Sequence, residues 1–455
     1  MKRKYLYYFL PLLGTLFGLW YIFQASCDGI YSDYIRLVNS YLPDIYNPDK
    51  FFVPDILTRI PLNYLGRIVN VVFFGYNTMF DRVLGVLALG LSGMVIASYS
   101  LRQKVSAFWF AVVMAVLFSL NKWEMLTNGS GWTHFLSFAC FYYHYEVLDR
   151  VWNGKGKPYD SLRLVALPFA TTLLVAGPYC AIYSVTIIGT CGILFLLKKG
   201  KGKLNYALYG ISGLIPLLLY LWSDSYVVDD HADYAGISLL EQLKDTPGFF
   251  VRFFIKSFSS MVIEGERAEE IFHRNLPFII MGLLVIVIYI LALWYNWKYR
   301  LYKKTLFPAI LLVSGGLNHV LILFSRWFFL RENYGMSSRY ALQFQTGIIG
   351  ILLTFALVLA KEKKRQHLFL RLAAGGSCIL FLTGNIYTTY VEIKKAPYRL
   401  EAYEKRAKLA RDFEQLTDKE LRDNFEYRKY REDSGEKVRS ALSILKENGY
   451  SIFHE

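Results

Sequence analysis

Two carboxylates follow the first apolar run of the chain, in segment 27–34 (CDGIYSDY). Carboxylates so close to a membrane span are costly unless they are paired or functional. A carboxylate held at the mouth of a helical bundle can act as a general base toward a hydroxyl group. Asp33 and Asp28 are both candidates for this base. Because a helix is predicted over 34–42, Asp33 could instead be its N-cap, and that alternative stays open.

A second polar segment contains Glu124 and His134, between two further apolar runs. Gly129 and Gly131 lie between them and favour a chain break or a close backbone approach. Glu124 and His134 are then expected at the same end of the bundle, where they could contact a substrate. A histidine in such a position is more often a satisfied interior side chain, so this alternative also stays open for His134.

Arginines are concentrated late in the chain, where Arg326, Arg331 and Arg339 occur within fifteen residues and Tyr340 follows. A guanidinium group can hold a phosphate through two parallel hydrogen bonds. An arginine at the start of a span needs a partner, and a lipid phosphate is a natural one. The alternative for Arg339 is an anchor that reaches the membrane interface. Arg59, before the second span, has the same chemistry, with an ion pair as its alternative.

The signals for metal or nucleotide binding are weak. An acidic cluster could hold a divalent cation, although its irregular spacing is more typical of a solvated loop. The cluster consists of Asp224, Asp229, Asp230, His231 and Asp233. The five cysteines show no metal spacing, and the chain has no P-loop, no strand-linked GxGxxG and no HExxH. No cofactor is therefore predicted beyond a possible divalent cation.

Apolar helices must position these residues. Of the 455 residues, 54% are hydrophobic and 19% charged, and the mean hydropathy is +0.29. Soluble chains average about 25% charged residues and seldom carry long apolar runs. The composition predicts an all-α polytopic membrane protein with about eleven transmembrane helices, and excludes an ordinary cytosolic enzyme, a disulfide scaffold and a disordered chain. The expected spans are 5–24, 80–99, 106–121, 130–147, 162–179, 181–197, 204–222, 276–296, 305–325, 339–360 and 368–388.

The basic residues predict the orientation. The net charge of +15 would suggest nucleic acid in a soluble protein. Here much of the excess lies in short clusters beside the spans, as the positive-inside rule describes, and no nucleic-acid partner is expected. With eleven spans, these clusters share the side of the N-terminal Lys-Arg-Lys, so the N-terminus is predicted inside and the C-terminus outside. A cleaved signal peptide is the alternative for the first run. The clusters lie at 102–104, 150–157, 198–203, 298–304 and 361–365.

The long segments fall on the predicted outer side. Outer loops 25–79 and 223–275 contain aromatic stretches that predict short helices lying in the membrane interface. The sequence predicts two domains, a membrane domain over 1–389 and a small extracytoplasmic C-terminal module over 390–455. The module has an amphipathic helical pattern near its end, with Gly449 as its cap. The last residues are expected to form a short strand or an apolar plug.

This layout resembles the GT-C superfamily of membrane glycosyltransferases, especially bacterial cell-envelope members. The likeness rests on the early Asp of a long outer loop, an Arg-x-Pro-Leu stretch (59–62), a late Ser-Arg-Tyr (338–340) and an outer C-terminal module. It is spread over most of the chain, and its motifs are weak singly. The tandem acidic pair of the family's first loop is missing here.

The resemblance implies an inverting enzyme that moves a sugar from a polyprenyl-phosphate donor to a cell-envelope glycan at the outer membrane face. The implied base is Asp33 or Asp28, with Asp33 preferred. Arg339 matches the arginine that contacts the lipid phosphate, and Arg59 is a weaker match. Tyr340 and Arg331 are expected to assist at the phosphate. Glu124 and His134 are candidates for substrate contact.

Two further functions stay open from the sequence. A polysaccharide polymerase or ligase would use the same kinds of residue at the same membrane face. A non-enzymatic flippase of lipid-linked glycans would need neither a base nor a leaving-group contact. Transporters of that kind usually show internal repeats and broken helices near the midplane. The chain shows no repeat, and the candidate charges fall at one face, which favours an enzyme.

Overall fold

The chain was analysed as a computed structural model. The structure describes residues 2–52, 60–200, 202–224, 238–361, 368–428, 431 and 433–454. Within these ranges the regular structure is helical and no strand occurs. The all-α fold predicted from the sequence is therefore confirmed, and the strand considered for the C-terminal end is wrong. Ser451–Phe453 forms a short 3₁₀ helix, and its apolar side chains pack into a core as a plug.

Most of the long helices form one bundle with a continuous apolar core. Helix α16 lies at its centre, because almost all of its side chains are buried. The bundle helices are α1 (Lys2–Ala25), α4 (Thr78–Gln103), α5 (Ala107–Leu117), α7 (Trp132–Trp152), α8 (Asp160–Ala170), α9 (Cys180–Leu197), α10 (Lys203–Asp224), α14 (Asn275–Lys298), α15 (Phe307–Arg326), α16 (Ala341–Lys361) and α17 (Leu368–Arg411).

Shorter helices occupy the connections and the C-terminal end. They are α2 (Asp33–Tyr41), α3 (Pro61–Phe74), α6 (Trp123–Asn128), α11 (Leu239–Asp245), α12 (Pro247–Ser259), α13 (Gly265–Ile271), α18 (Asp418–Asn424) and α19 (Ser434–Asn448). Helices α3 and α12 lie in the loops where interfacial helices were expected. Helix α3 buries one face and exposes Leu65, Val69 and Phe73 on the other. This amphipathic pattern suits a membrane interface.

In the described part of the chain, nine helices are long and apolar enough to cross a membrane, against about eleven expected spans. Helices occur at the two remaining positions as well. Helix α7 is long but polar, because it buries Glu146, Asp149 and Arg150, which form ion pairs with Arg102 of α4 and Asp160 of α8. Helix α8 ends after eleven residues and continues as a π-helical turn, Thr171–Val175. The count of eleven stays a prediction.

The two ends of the bundle differ in character. At one end, the predicted inner clusters meet: Arg102 pairs with Asp149 (Nη2 to Oδ2, 2.6 Å), and Thr305 donates to the same carboxylate. Lys361 donates to the carbonyl of Tyr299 nearby. Because these residues come from four separate connections, the structure supports the predicted alternation of the helices. The orientation of the bundle in the membrane stays a prediction.

The opposite end of the bundle carries a second hydrophobic core. This core joins the first long loop, through α2 and α3, to the C-terminal helices α18 and α19. The predicted domain boundary at 389/390 falls inside α17, which continues unbroken to Arg411 and is about 66 Å long at 1.5 Å per residue. The C-terminal module therefore shares its core with the first outer loop.

Candidate functional site

A cavity of about 640 Å³ opens at the end of the bundle that carries the second core. Its wall is formed by the start of α2, the turn between α5 and α7, and the segment between α15 and α16. Such a volume suits a small-molecule ligand. The charged and imidazole side chains in its lining are Asp33, Arg36, Glu124, His134, Arg326 and Arg339.

Arg339 connects the two carboxylates of the cavity. Its Nε lies 2.5 Å from Oε1 of Glu124, and its Nη1 lies 4.0 Å from Oδ2 of Asp33. Ser338 donates to the other oxygen of Glu124. Glu124 is therefore the firm partner of Arg339, whereas Asp33 is in looser contact and keeps 43% of its side chain exposed. One arm of the guanidinium thus faces a carboxylate that is still open to the cavity.

Local structure explains how Arg339 reaches this position. Ser337 caps a 3₁₀ turn, Ser338–Tyr340, which leads directly into α16, and its hydroxyl accepts from the Arg339 N–H. The turn places Arg339 at the cavity wall and buries Tyr340 beside it. Tyr340 accepts a hydrogen bond from Nε of Arg326 (2.8 Å), so two arginines converge here.

Glu124 lies on the short helix α6, within the turn that connects α5 to α7. Gly129 ends α6 in the left-handed conformation, and a Cβ there would lie 2.7 Å from Arg82. Gly131 leaves equally little room beside His134. The predicted break is confirmed, because α6 ends at Asn128 and α7 begins at Trp132. A close approach to the backbone of another span occurs at Gly129, where a Cβ would lie 3.3 Å from the Arg82 nitrogen. His134 packs edge-on against Tyr179 (4.7 Å between ring centroids) in the cavity wall.

Asp33 is the first residue of α2, and the predicted role as N-cap is wrong. Ser32 occupies the cap position, with no side-chain capping bond. The Asp33 carboxylate is free to face the cavity, where the helix N-terminus also favours a negative charge. Burial raises the pKa of Asp33, but Arg339 and then Arg36 lower it more, and the result is a pKa below the usual value.

Asp28 has a structural environment. One of its oxygens accepts hydrogen bonds from the N–H (2.7 Å) and the hydroxyl (2.8 Å) of Thr78, at the start of α4. The other oxygen accepts from the Ser451 hydroxyl (2.9 Å). The described cavity lining does not include Asp28. Of the two predicted bases, the structure brings Asp33 alone to the cavity.

The structure describes one of the two other arginines that were predicted to contact the phosphate. Arg331 is exposed and is not part of the described cavity lining. Arg59 lies outside the described residues, as do 225–237, which contain most of the acidic cluster considered for a divalent cation. In the part of the chain that the structure describes, no group of three or more His, Cys, Asp or Glu side chains is arranged so that it could hold a metal ion. The Arg339 guanidinium lies within 4.0 Å of both Asp33 and Glu124.

Two arginines of the cavity were not selected from the sequence. Arg36 follows Asp33 by three positions, and this spacing on one helix face could have revealed it. Arg326 belongs to the late arginine group, but the sequence does not show that Arg326 turns inward while Arg331 turns outward. The lining thus combines three arginines with two carboxylates. Apolar side chains of 321–329 form its flank.

The arrangement can hold an anion and activate a hydroxyl group. Buried or partly buried arginines bind phosphate strongly because the surrounding dielectric is low. An ionised carboxylate beside them can accept a proton from a neighbouring hydroxyl group. Comparisons of this chain with known protein families, characterised proteins and solved structures find no match.

Proposed function

We propose that this protein is an inverting glycosyltransferase that uses a polyprenyl-phosphate sugar as its donor and a cell-envelope glycan as its acceptor. The observation that carries the proposal is the contact of Asp33 with Arg339 inside one cavity at the end of a membrane-type bundle. The pair supplies the two functions that this reaction needs, a base and a stabiliser of the leaving phosphate.

The chemistry follows from the two groups. The Asp33 carboxylate accepts the proton of an acceptor hydroxyl group while the hydroxyl oxygen attacks the anomeric carbon of the donor sugar. A new glycosidic C–O bond forms, the bond from the anomeric carbon to the phosphate oxygen breaks, and the lipid phosphate leaves with the bonding electron pair. The attack comes from the face opposite the phosphate, so the anomeric configuration inverts.

The leaving phosphate is a weak base and needs positive charge more than a proton. Arg339 and Arg326 lie at the cavity wall, and preorganised cations of this kind stabilise developing negative charge well in a low-dielectric site. Tyr340 orients Arg326 through its hydroxyl group. Glu124 fixes Arg339, so the guanidinium is held in place before a donor binds.

The flank of the cavity suits a lipid-linked donor. Phe324, Trp327 and Phe328 belong to the lining, and 57% of the Phe324 side chain is exposed. Exposed aromatic side chains at the end of a membrane-spanning helix are expected to contact lipid. The isoprenoid chain can then remain in the bilayer while its phosphate reaches the arginines.

The test is transfer of labelled sugar from a panel of polyprenyl-phosphate sugars by the protein purified in lipid nanodiscs. Asp33→Asn removes the base and keeps the shape of the side chain, so the rate is expected to fall by roughly 100- to 10,000-fold. Asp49→Asn is the matched control, because Asp49 is an exposed carboxylate of the same loop outside the described cavity lining. Its rate should equal that of the unmodified protein.

A cellular comparison separates the alternatives. A gene deletion should remove one sugar from the envelope glycan, and Asp33→Asn should fail to restore it. Loss of the whole polymer with accumulation of lipid-linked units would instead indicate a polymerase or a flippase. Full restoration by Asp33→Asn would contradict the proposed base.

A further inference from the structure

The backbone just before Asp33 is held in an unusual conformation. Ser32 has a φ of 50° and a ψ of −123°, a backbone conformation that residues other than glycine rarely adopt. A backbone conformation of this kind is strained and persists only where the surrounding structure fixes it. The Ser32 side chain makes no capping bond that could hold this conformation.

The restraint comes from the C-terminal region, defined here as residues 403–454. The Ser32 N–H donates to the carbonyl of Phe425 (2.8 Å). Phe425 is fully buried at the end of α18, so its carbonyl is fixed by packing. This bond ties the residue next to Asp33 to a point almost 400 positions later in the chain.

Two further contacts flank the Ser32 bond. On the N-terminal side, the Tyr403 hydroxyl bonds with the Tyr31 hydroxyl (3.0 Å) and with the carbonyl of Thr127 (2.9 Å). On the C-terminal side, the Asn39 amide donates to the carbonyl of Lys437 (2.8 Å). Together, the three contacts hold both sides of the Asp33 position.

Packing reinforces these bonds. Tyr34, Ile35 and Val38 form the buried face of α2, and they share one core with Leu421 and Leu442 of the C-terminal helices. Because α2 has only nine residues, it is too short to be stable without tertiary contacts. The C-terminal region therefore supplies much of the surface on which α2 forms.

The same region also contributes charge. Arg428 is one of the arginines whose field lowers the pKa of Asp33, after Arg339 and Arg36. This effect fits the geometry, since Arg428 follows the Phe425 carbonyl by three residues. The C-terminal region thus adds positive charge near the base, besides the bonds that it makes to the neighbouring residues.

We infer that the C-terminal region is a positioning element for Asp33, which aims the carboxylate into the cavity through the contacts at Tyr31, Ser32 and Asn39. The inference rests on the proposed function. It assigns the region a part in the catalytic step rather than in binding of the donor. Neither Tyr403 nor Asn39 belongs to the described cavity lining, so each can be changed without altering that lining.

The experiment combines two readouts on Tyr403→Phe and Asn39→Ala. Hydrogen exchange measured by mass spectrometry reports the protection of the Ser32 amide without any need for activity. Steady-state transfer reports kcat and the donor KM. Asn448→Ala is the matched control, because that amide bonds within its own helix α19. Melting temperatures establish that each variant is folded.

Both variants are expected to lose protection at Ser32 and to lower kcat about 10-fold at unchanged donor KM, since a misplacement near 1 Å can cost up to about 100-fold. The control should match the unmodified protein. Unchanged protection, or lost protection with unchanged kcat, would overturn the inference. A raised donor KM at full kcat would also overturn it, because the region would then serve donor binding.

Failure of the proposed function gives a different result. If the unmodified protein transfers sugar and Asp33→Asn does not, the proposed function stands, and the variants of Tyr403 and Asn39 then decide the inference alone. If Asp33→Asn keeps full transfer activity, the proposed base is wrong, and positioning of Asp33 for catalysis is excluded with it.

Discussion

Single charges in the cavity determine whether Asp33 can act as a base. Its pKa is lowered because nearby arginines outweigh the effect of burial, with Arg339 the largest and Arg36 the next. The carboxylate is therefore ionised at neutral pH. The ionised carboxylate also stays accessible to an acceptor. This is because Arg339 forms its close ion pair with Glu124 and only a looser contact with Asp33. Asp33 is thus already ionised when it accepts the proton of the acceptor hydroxyl group.

Removal of Arg36 is expected to move the acid limb of the pH–rate profile to higher pH. A carboxylate base is fully active above its pKa in the folded protein and loses activity as the pH falls through it. In the unmodified protein this limb should lie below the usual aspartate pKa of about 3.9. Arg36→Gln removes one of the charges that lower the pKa, so activity should be lost earlier on acidification. The measurement is kcat/KM against pH.

Arg331→Gln is the control for this profile, since Arg331 is an exposed arginine outside the described cavity lining. Its acid limb should coincide with that of the unmodified protein. An unmoved limb in Arg36→Gln would mean that a group other than Asp33 sets the acid limb. Melting temperatures at each pH separate loss of the base from acid unfolding.

At the level of helices, the start of α2 is the most constrained point near the cavity. Ser32 has a positive φ, which glycine adopts at little cost and proline excludes. The Ser32 N–H also donates a hydrogen bond to the Phe425 carbonyl. The hydroxyl of Ser32 has no capping role. Backbone conformation, rather than the side chain, is therefore what this position requires.

Substitutions of Ser32 should separate these effects. Ser32→Ala keeps the N–H and is expected to leave stability and activity nearly unchanged. Ser32→Gly should preserve or raise stability by up to about 1 kcal/mol, because the strain at positive φ is relieved. Ser32→Pro removes the donor and cannot adopt this φ, so activity should be lost. Melting curves and transfer rates check the series; a fully active Ser32→Pro would contradict the proposed restraint.

The positions of the helices could be predicted well from the sequence, but the contacts between distant segments could not. The helix expected over 34–42 is α2, and Gly449 ends α19 in the left-handed conformation as predicted. These features depend on local spacing and on glycine chemistry. The position of Asp33 depends instead on a carbonyl nearly 400 residues away, which periodicity does not reveal. For this reason the preference for Asp33 over Asp28 rested on its place at the start of a predicted helix and not on the partners of either carboxylate.

Polar helices were the second limit of sequence reasoning. Helix α7 was expected as a span over 130–147, yet it continues to Trp152, and its last turns carry buried charges that are paired with α4 and α8. Replacing such pairs by apolar residues is often tolerated, but breaking one partner leaves a buried charge, which is costly. Hydropathy counts the charges and does not show their partners.

In the whole molecule, the two ends of the bundle differ, because one end carries the basic connections and the other carries the cavity. The basic connections gather at one end, where Asp149 binds residues of α4 and of the segment before α15. The cavity, the first loop and the C-terminal region gather at the other end. If the basic end faces the cytoplasm, as the positive-inside rule predicts, the cavity opens outside the cell.

Cysteine labelling tests this orientation. Asp49 lies at the cavity end and Lys155 at the basic end, and both are exposed. A membrane-impermeant maleimide should label Asp49→Cys in intact cells and should reach Lys155→Cys only after the membrane is made permeable. The unmodified chain gives the background, because Cys27 is partly exposed. Labelling is read as a mass shift of the purified protein.

The reverse labelling pattern would place the cavity in the cytoplasm. A donor whose sugar is presented at the outer face could not then reach Asp33, and a donor made on the cytoplasmic face would have to replace it. The expected labelling pattern would place the cavity at the outer face, which is where the proposed donor presents its sugar. The orientation thus decides which pool of lipid-linked sugar the arginines of the cavity can bind.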